Sequence, residues 1–153
     1  GKAAQPGRGW VVVLAQTLEP DALVDSLEAG RFYSSSGVKL DRIACHNGQF
    51  EVQVAAEEGV TYRVDFIGTL KGFDENSTPA SDDPLKADTL TRRYSADVGK
   101  TLKTVDGPTA AYEITGKELY IRAVVTSSRL HPNPSEAGEF ERAWIQPVVP
   151  GSK

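Results

Sequence analysis

The side chains best suited to binding chemistry lie in two short polar segments of this chain. Arg129, His131 and Asn133 fall within a proline-rich stretch, where a cation, an imidazole and an amide together could bind an anion or a partner surface. Tyr33 and Ser35 follow a predicted helix, and such a segment can approach a substrate when it lies at the catalytic end of an α/β barrel. These are our candidate ligand-binding residues. For the proline-rich stretch, a loop ordered by its own packing is the alternative.

No arrangement of residues indicates a catalytic or metal site. The segment Ser34-Ser35-Ser36-Gly37 follows a predicted helix, whereas a nucleophile elbow follows a strand. One cysteine and two histidines far apart in sequence do not have the spacing of a zinc site, and a single cysteine cannot form an internal disulfide. The acidic stretch 72–88 does not match an EF-hand and is predicted to be a solvated loop. We therefore assign no catalytic residue, metal ligand or cofactor to this chain.

The composition limits the classes of partner. Hydrophobic residues make up 39% of the 153 residues and charged residues 25%, which is usual for a globular protein with one core of ordinary size. The formal net charge of −4 argues against a nucleic-acid backbone as the main partner, because such proteins carry a basic excess or patch. No apolar stretch approaches the roughly 20 residues that a membrane-spanning helix needs. We expect neither nucleic acid nor a membrane as a partner.

The first elements along the chain form a strand–helix unit. The apolar run within residues 10–15 is typical of a strand buried on both faces, as in a parallel sheet. Pro20 suits the first position of a helix, and Gly30 is a natural stop for that helix. The chain has no methionine, so we expect Gly1 to follow an upstream segment. Residues 1–37 are predicted to be the terminal strand–helix remnant of an upstream domain.

The next part of the chain has the pattern of antiparallel β-structure. Asn47-Gly48 is a strong hairpin signal, and apolar residues at Phe50, Val52 and Val54 alternate with polar ones after it. With a strand over 38–44 before the turn and another over 61–67, this segment is predicted to form a three-strand meander.

Further short strands are predicted toward the C-terminus, at 92–95, 110–115, 118–127 and 140–145. In the longest of them, Leu119, Ile121, Ala123 and Val125 are predicted to form the inner face. Many short strands with turn signals and no second helix predict an antiparallel β-sandwich, Ig-like or similar, over residues 38–149. Residues 150–153 are predicted to be a mobile tail. The predicted fold class is mainly β with one N-terminal strand–helix unit.

Several segments resemble a known family. Segments 6–13 (PGRGWVVV) and 29–38 (AGRFYSSSGV) resemble the C-terminal edge of bacterial metal-dependent hydrolases of the PHP type, named after polymerase and histidinol phosphatase. Segments 66–69 (FIGT), 118–123 (ELYIRA) and 143–148 (AWIQPV) resemble the β-domain that follows the barrel in one branch of that family. The resemblance covers most of the chain, from about Pro6 to Val149.

This resemblance implies that a preceding domain carries the chemistry. The family holds divalent metals on a distorted (β/α) barrel through His, Asp and Glu motifs, and none of those motifs lies in this chain. The parent would be a hydrolase of phosphoesters or related bonds, and residues 1–37 would be the last unit of its α/β barrel. Residues 38–149 would be a non-catalytic accessory β-domain whose partner is the upstream catalytic barrel of the same polypeptide.

Two other interpretations stay open. The chain could be a carbohydrate- or ligand-binding β-sandwich with exposed aromatic residues on one sheet face. The candidate aromatic residues are Tyr94, Tyr112, Tyr120 and Trp144. The chain could also be a small enzyme that uses Arg129, His131 and Glu136.

The apolar strand 10–15 also bears on assembly. Because exposed apolar edges associate, we expect this strand to join the edge of the sandwich or to pair with a second copy, which would give a homo-oligomer. The compartment is left open between the bacterial cytoplasm and the periplasm.

Overall fold

The computed structural model describes residues 6–80 and 91–151, and within them it contains eleven strands and one helix. In chain order these are β1 (Trp10–Val13), α1 (Pro20–Glu28), β2 (Phe32–Ser35), β3 (Leu40–His46), β4 (Gln49–Val54), β5 (Tyr62–Leu70), β6 (Ser77–Pro79), β7 (Arg92–Tyr94), β8 (Lys100–Asp106), β9 (Thr109–Glu113), β10 (Glu118–Leu130) and β11 (Phe140–Ile145). The mainly β fold class with a single short helix is confirmed.

Two antiparallel sheets pack face to face in a sandwich-like arrangement. The larger sheet has six strands in the order β1-β2-β11-β10-β5-β8, and the smaller has three in the order β3-β4-β9. Strands β6 and β7 form a separate two-stranded sheet. The core lies between the two main sheets and is built from alternate residues of their strands. Its members that have no exposed surface are Phe50, Val64, Phe66, Ile121, Ala123, Val125 and Ala143.

The predicted hairpin at Asn47-Gly48 is confirmed. Asn47 has φ 49° and Gly48 has φ 73°, and a two-residue turn with positive φ at both positions matches the twist of the flanking strands. The predicted alternation in β4 is confirmed too, because Phe50, Val52 and Val54 are buried.

The predicted three-strand meander is wrong, because β5 belongs to the other sheet. Strand β5 pairs with β10 and β8, whereas β4 pairs with β3 and β9. Both β4 and β5 have one apolar face, and the chain crosses between the sheets so that these faces meet. Phe50 of β4 and Phe66 of β5 consequently pack edge to face, with ring centroids 5.7 Å apart.

The inner face of β10 differs from the prediction at its first residues. Ile121, Ala123 and Val125 are buried as predicted, but Leu119 is 41% exposed and Glu118 is 1% exposed. The pairing of β10 with β5 shifts register between Glu118 and Tyr120. This irregularity interrupts the two-residue alternation and turns the carboxylate, rather than the leucine, inward.

Strand β1 is an antiparallel edge strand, which corrects the prediction of a strand buried on both faces in a parallel sheet. It pairs with β2 alone, and Trp10 and Val11 are about half exposed. Residues Phe32–Ser35, in the polar segment after the helix for which no strand was predicted, form strand β2 between β1 and β11. Both strands therefore extend the large sheet of the sandwich. The assignment of residues 1–37 to an upstream barrel stays a prediction.

The helix has the predicted bounds but little packing. Pro20 occupies its first turn, and Gly30 follows its end with φ 69°. Only Ser26 is buried, while Val24 and Leu27 are 51% and 43% exposed. The helix is therefore loosely attached to the sandwich.

Part of the predicted acidic loop 72–88 is ordered by pairing of β6 with β7. Its residues Asp82, Asp83 and Asp88 lie outside the described residues, as do Ser152 and Lys153 of the predicted tail. Strand β8 was not predicted, because its lysine, threonine and aspartate residues carry no clear apolar alternation.

Candidate functional site

Tyr33 and Ser35 lie on β2 with their side chains inside the sandwich. Tyr33 is 2% exposed, and its hydroxyl oxygen accepts a hydrogen bond from the Leu40 amide at 3.1 Å. Ser35 is 1% exposed, and its hydroxyl donates to the Val38 carbonyl at 2.6 Å while accepting from the Gly37 amide. Both hydroxyls therefore fix the path of the chain from β2 to β3.

Arg129 lies at the end of β10 and binds a carboxylate of the same chain. Its guanidinium donates two hydrogen bonds to Glu57, at 3.2 and 2.6 Å. The hydrogen bond from Arg129 lowers the pKa of Glu57, and the same bond raises the pKa of Arg129. This bidentate pair joins the end of β10 to the turn after β4.

His131 connects two segments of the chain through both ring nitrogens. Its Nδ1 accepts a hydrogen bond from the backbone N–H of Asn133 at 3.0 Å, and its Nε2 lies 2.8 Å from the Arg8 carbonyl oxygen. Since a backbone N–H can only donate, Nδ1 carries no proton and Nε2–H donates to the Arg8 carbonyl. His131 is 6% exposed, so it ties the segment before β1 to the loop after β10. Neither nitrogen is left for a substrate, which gives the small-enzyme interpretation no support.

The candidate residues thus have separate environments. The structure brings together His131 and the Asn133 backbone, and it places Arg129 against Glu57 instead. Among residues 6–80 and 91–151, no group of three or more His, Cys, Asp or Glu side chains is placed to hold a metal ion. In the same ranges, no helix is long and apolar enough to cross a membrane.

A different feature is found on the outer face of the large sheet. Val11, Ser34, Trp144 and Val124 are opposite one another on β1, β2, β11 and β10, so they form one row across four neighbouring strands. Their chain neighbours Val12, Tyr33, Ala143, Ile145, Ala123 and Val125 belong to or pack against the core. By strand alternation, the row therefore lies on the face that points away from the core.

The apolar surface continues into the next row on that face. Val13 and Phe32 are opposite each other on β1 and β2, and both are partly buried without packing against the core. We call this surface the Trp144 face and define it by Val11, Val13, Phe32, Val124 and Trp144. It covers the part of the sheet nearest to β1. Toward β5 and β8 the row becomes polar, because Asp65 is opposite Val124 and Thr104 is opposite Asp65.

The outer face of the small sheet provides a contrast within the same molecule. Its rows contain Arg42 opposite Gln53 and His46 opposite Gln49, with Glu51 between them. Glu51 lies 3.7 Å from Arg42 and 3.8 Å from His46. An antiparallel sheet that faces solvent normally has such polar residues on its outer side. The apolar Trp144 face departs from that pattern.

Two arginines border the Trp144 face. Arg142 is two residues before Trp144 on β11, and Arg122 is two residues before Val124 on β10, so both lie on the same face and are exposed. Neither side chain has a hydrogen bond or ion pair with another described residue. The surface therefore has an apolar centre with cationic groups beside it.

The aromatic residues proposed for sugar binding do not all lie on one sheet face. Tyr112 faces the core, 5.6 Å from the ring of Phe66, while Tyr94 is 58% exposed on β7 of the separate two-stranded sheet. Trp144 lies on the outer face of the large sheet, and by strand alternation Tyr120, four residues before Val124 on β10, lies on that face too. A groove of about 820 Å³ adjoins that sheet beside β5, and Arg63, Asp65 and Phe140 are among its lining residues.

Comparisons with protein-family models, with curated protein sequences and with solved structures found no match to this chain.

The candidate residues chosen from the sequence do not include the Trp144 face. Its signal in the sequence is apolar residues at consecutive positions, as in the run at 10–14 and in Ala143-Trp144-Ile145. Consecutive apolar residues in a strand place apolar side chains on both of its faces.

Proposed function

We propose that this chain is a non-catalytic accessory β-domain of a metal-dependent hydrolase and that it docks on the catalytic barrel through the Trp144 face. The observation that carries this proposal is the apolar Trp144 face on the outer side of the large sheet, where polar residues would be usual. Protein interfaces have apolar, aromatic-rich centres from which most charges are excluded, and Trp and Arg are enriched among the residues that dominate binding. The Trp144 face has this composition, whereas the outer face of the small sheet does not.

The resemblance to PHP-type hydrolases supports the choice of partner. In this proposal the barrel of the same polypeptide precedes β1, and β1 itself carries part of the Trp144 face. A short connection would hold the two domains at a high effective concentration, so a modest apolar surface would be enough for stable docking. The divalent metals and their ligands belong to the barrel, and this chain contributes its shape and its surface.

A binding module is the second candidate, and the groove beside β5 favours it. The groove combines the ring of Phe140, which is 40% exposed, with polar groups of Arg63 and Asp65. However, Arg63 already binds Asp106 at 2.9 Å and Asp65 accepts from Thr104 at 2.6 Å. A sugar would have to compete with both of these contacts, so we rank this candidate second.

The test has two parts. The coding sequence upstream of Gly1 is read first, and the proposal expects a segment of barrel length there with His- and Asp-rich motifs. That segment and this chain are then produced as separate proteins, and their affinity is measured by titration calorimetry. We expect Trp144→Ala to weaken binding by about tenfold or more, as for an interface hot spot.

Two further variants make the result specific. Val124→Thr keeps the shape of a second residue on the Trp144 face and should also weaken binding. Tyr94→Ala removes an exposed aromatic ring on β7 and should leave the affinity unchanged. Circular dichroism checks that each variant is folded. An upstream sequence without a barrel, or an affinity that Trp144→Ala and Val124→Thr do not change, would overturn the proposal.

A further inference from the structure

We infer that Arg122 and Arg142 make the Trp144 face selective for a protein surface with carboxylates on either side of an apolar centre. This inference rests on the proposed function, because it specifies the chemistry of the barrel surface on which the domain docks.

The positions of the two arginines follow from the register of β10 and β11. Val124 is opposite Trp144 and Thr126 is opposite Arg142, so Arg142 lies on one side of the Val124–Trp144 pair. Arg122 precedes Val124 on the antiparallel strand and therefore lies on the other side of that pair. Four residue positions along the strands separate the two arginines, which corresponds to roughly 13 Å. Two cationic groups thus border the aromatic centre from opposite sides.

Other arginines of this chain have partners within it. Arg63 pairs with Asp106, Arg129 with Glu57 and Arg42 with Glu51. The chain has more acidic residues than basic ones, 21 against 17, so carboxylates are not scarce. Even so, among the described residues none forms an ion pair with Arg122 or Arg142.

The chemistry of the guanidinium group defines the expected partner. A planar guanidinium binds a carboxylate through two parallel hydrogen bonds, and this geometry gives both orientation and selectivity. An apolar centre bordered by two such groups would be matched by a partner surface with an apolar pocket for Trp144 and Asp or Glu residues about 13 Å apart. Charged groups at the border of an interface act mainly on association rate and salt dependence, whereas the buried centre determines most of the affinity.

The experiment measures affinity for the upstream barrel segment at two salt concentrations. Titration calorimetry with this chain is carried out at about 50 mM and about 500 mM NaCl, where the Debye length falls from above 10 Å to below 5 Å. For the wild-type chain we expect binding to weaken by about tenfold at high salt. The double variant Arg122→Gln/Arg142→Gln should bind about tenfold more weakly at low salt and lose most of the salt dependence.

Two controls separate geometry from net charge. The double variant Arg42→Gln/Arg92→Gln removes the same charge elsewhere on the molecule and should bind like the wild type. Arg122→Lys/Arg142→Lys keeps the charge without the planar fork and should restore the salt dependence but only part of the affinity.

The outcomes distinguish the inference from the proposed function. Binding that Trp144→Ala weakens, but that neither salt nor the arginine substitutions change, would overturn the inference and leave the docking proposal standing. An absence of binding at both salt concentrations by the folded wild-type chain would overturn the docking proposal itself.

Discussion

At the scale of single residues, Glu118 is a buried carboxylate held by several hydrogen bonds. It is 1% exposed, and its Oε1 accepts hydrogen bonds from the Thr115 hydroxyl at 2.7 Å, the Tyr112 hydroxyl at 2.9 Å and the Thr115 amide at 3.2 Å. Its Oε2 is buried without a partner among the described residues. Burial by itself raises the pKa of Glu118, but the hydrogen bonds from Thr115 and Tyr112 lower it to about 2.

The same contact joins the two sheets. Glu118 lies on β10 of the large sheet, and Tyr112 lies on β9 of the small sheet. Burial raises the pKa of Tyr112 to about 12, with a further contribution from its hydrogen bond to Glu118. The tyrosine therefore stays neutral and donates while the carboxylate stays ionised and accepts.

We expect the free energy of unfolding to depend on pH through the ionisation of Glu118. Its folded-state pKa lies below the ordinary value of about 4.3, so its contribution is present above that pH and is lost as the pH falls toward about 2. In Glu118→Gln this pH dependence should be reduced, and stability near pH 7 should fall by about 1–3 kcal/mol because the amide NH₂ is buried without an acceptor.

Urea unfolding between about pH 2 and pH 6 measures both effects. Glu113→Gln, at an exposed position on β9, is the matched control and should follow the wild type. Equal slopes of unfolding free energy against pH in the wild type and in Glu118→Gln would contradict the prediction.

At the scale of elements, the β3–β4 hairpin is specified by its own turn. Asn47 and Gly48 both have positive φ, and the turn sets the register in which Cys45 is opposite Phe50. A shift of this register by one residue would move Phe50 out of the core. The Gly48 carbonyl also accepts a hydrogen bond from the Ile114 amide at 2.7 Å, so the turn contributes to the contact with β9.

We predict that Gly48→Ala destabilises the protein by about 1–2 kcal/mol, since a Cβ is strained at this positive φ. Apart from Gly48 itself and its two chain neighbours, no described residue has an atom within 4 Å of the position that a Cβ would take at Gly48, so the effect should come from the backbone conformation and not from a clash. Gly48→Asn should cost less, because asparagine tolerates the left-handed region. Thermal unfolding of the three proteins measures this order, and an equal loss in both variants would argue against a conformational cause.

At the scale of the whole molecule, the open edge of β1 is one of the strand edges available for association. The Leu14 amide donates to the Arg31 carbonyl on the β2 side at 2.8 Å. Hydrogen-bonded and non-hydrogen-bonded pairs alternate in an antiparallel ladder, so the amides of Val11 and Val13 point to the open edge. Trp10 and Leu14 are 47% and 42% exposed beside it. The homo-oligomer predicted through residues 10–15 would form by strand pairing at this edge.

We predict that this chain dimerises through β1 and that Val13→Pro prevents dimerisation. Proline removes an amide at the open edge without removing a hydrogen bond to β2, and edge strands tolerate it. Val13→Ala removes the side chain but keeps the amide, so it should remain dimeric. Sedimentation velocity over a concentration series measures the outcome. A monomeric wild type, or a dimeric Val13→Pro variant, would contradict the prediction.

The sequence alone determined the features that depend on neighbouring residues. The Asn47-Gly48 turn, the helix from Pro20 and the alternation in β4 follow from backbone sterics, missing donors and side-chain period. The apolar run at 10–14 also predicted a strand, although that strand is a half-exposed antiparallel edge strand and not one buried on both faces. These signals were enough to identify a mainly β sandwich.

Tertiary structure alone decided which strands meet and which faces remain open. Phe32–Ser35 has little strand pattern of its own, yet it becomes β2 because β1 and β11 pair with it on both sides. A register shift turns Glu118 inward in place of Leu119. The Trp144 face exists only because β1, β2, β10 and β11 are adjacent in space. Pairing between strands distant in sequence depends on the complete set of hydrogen bonds and buried surfaces, which no local pattern contains.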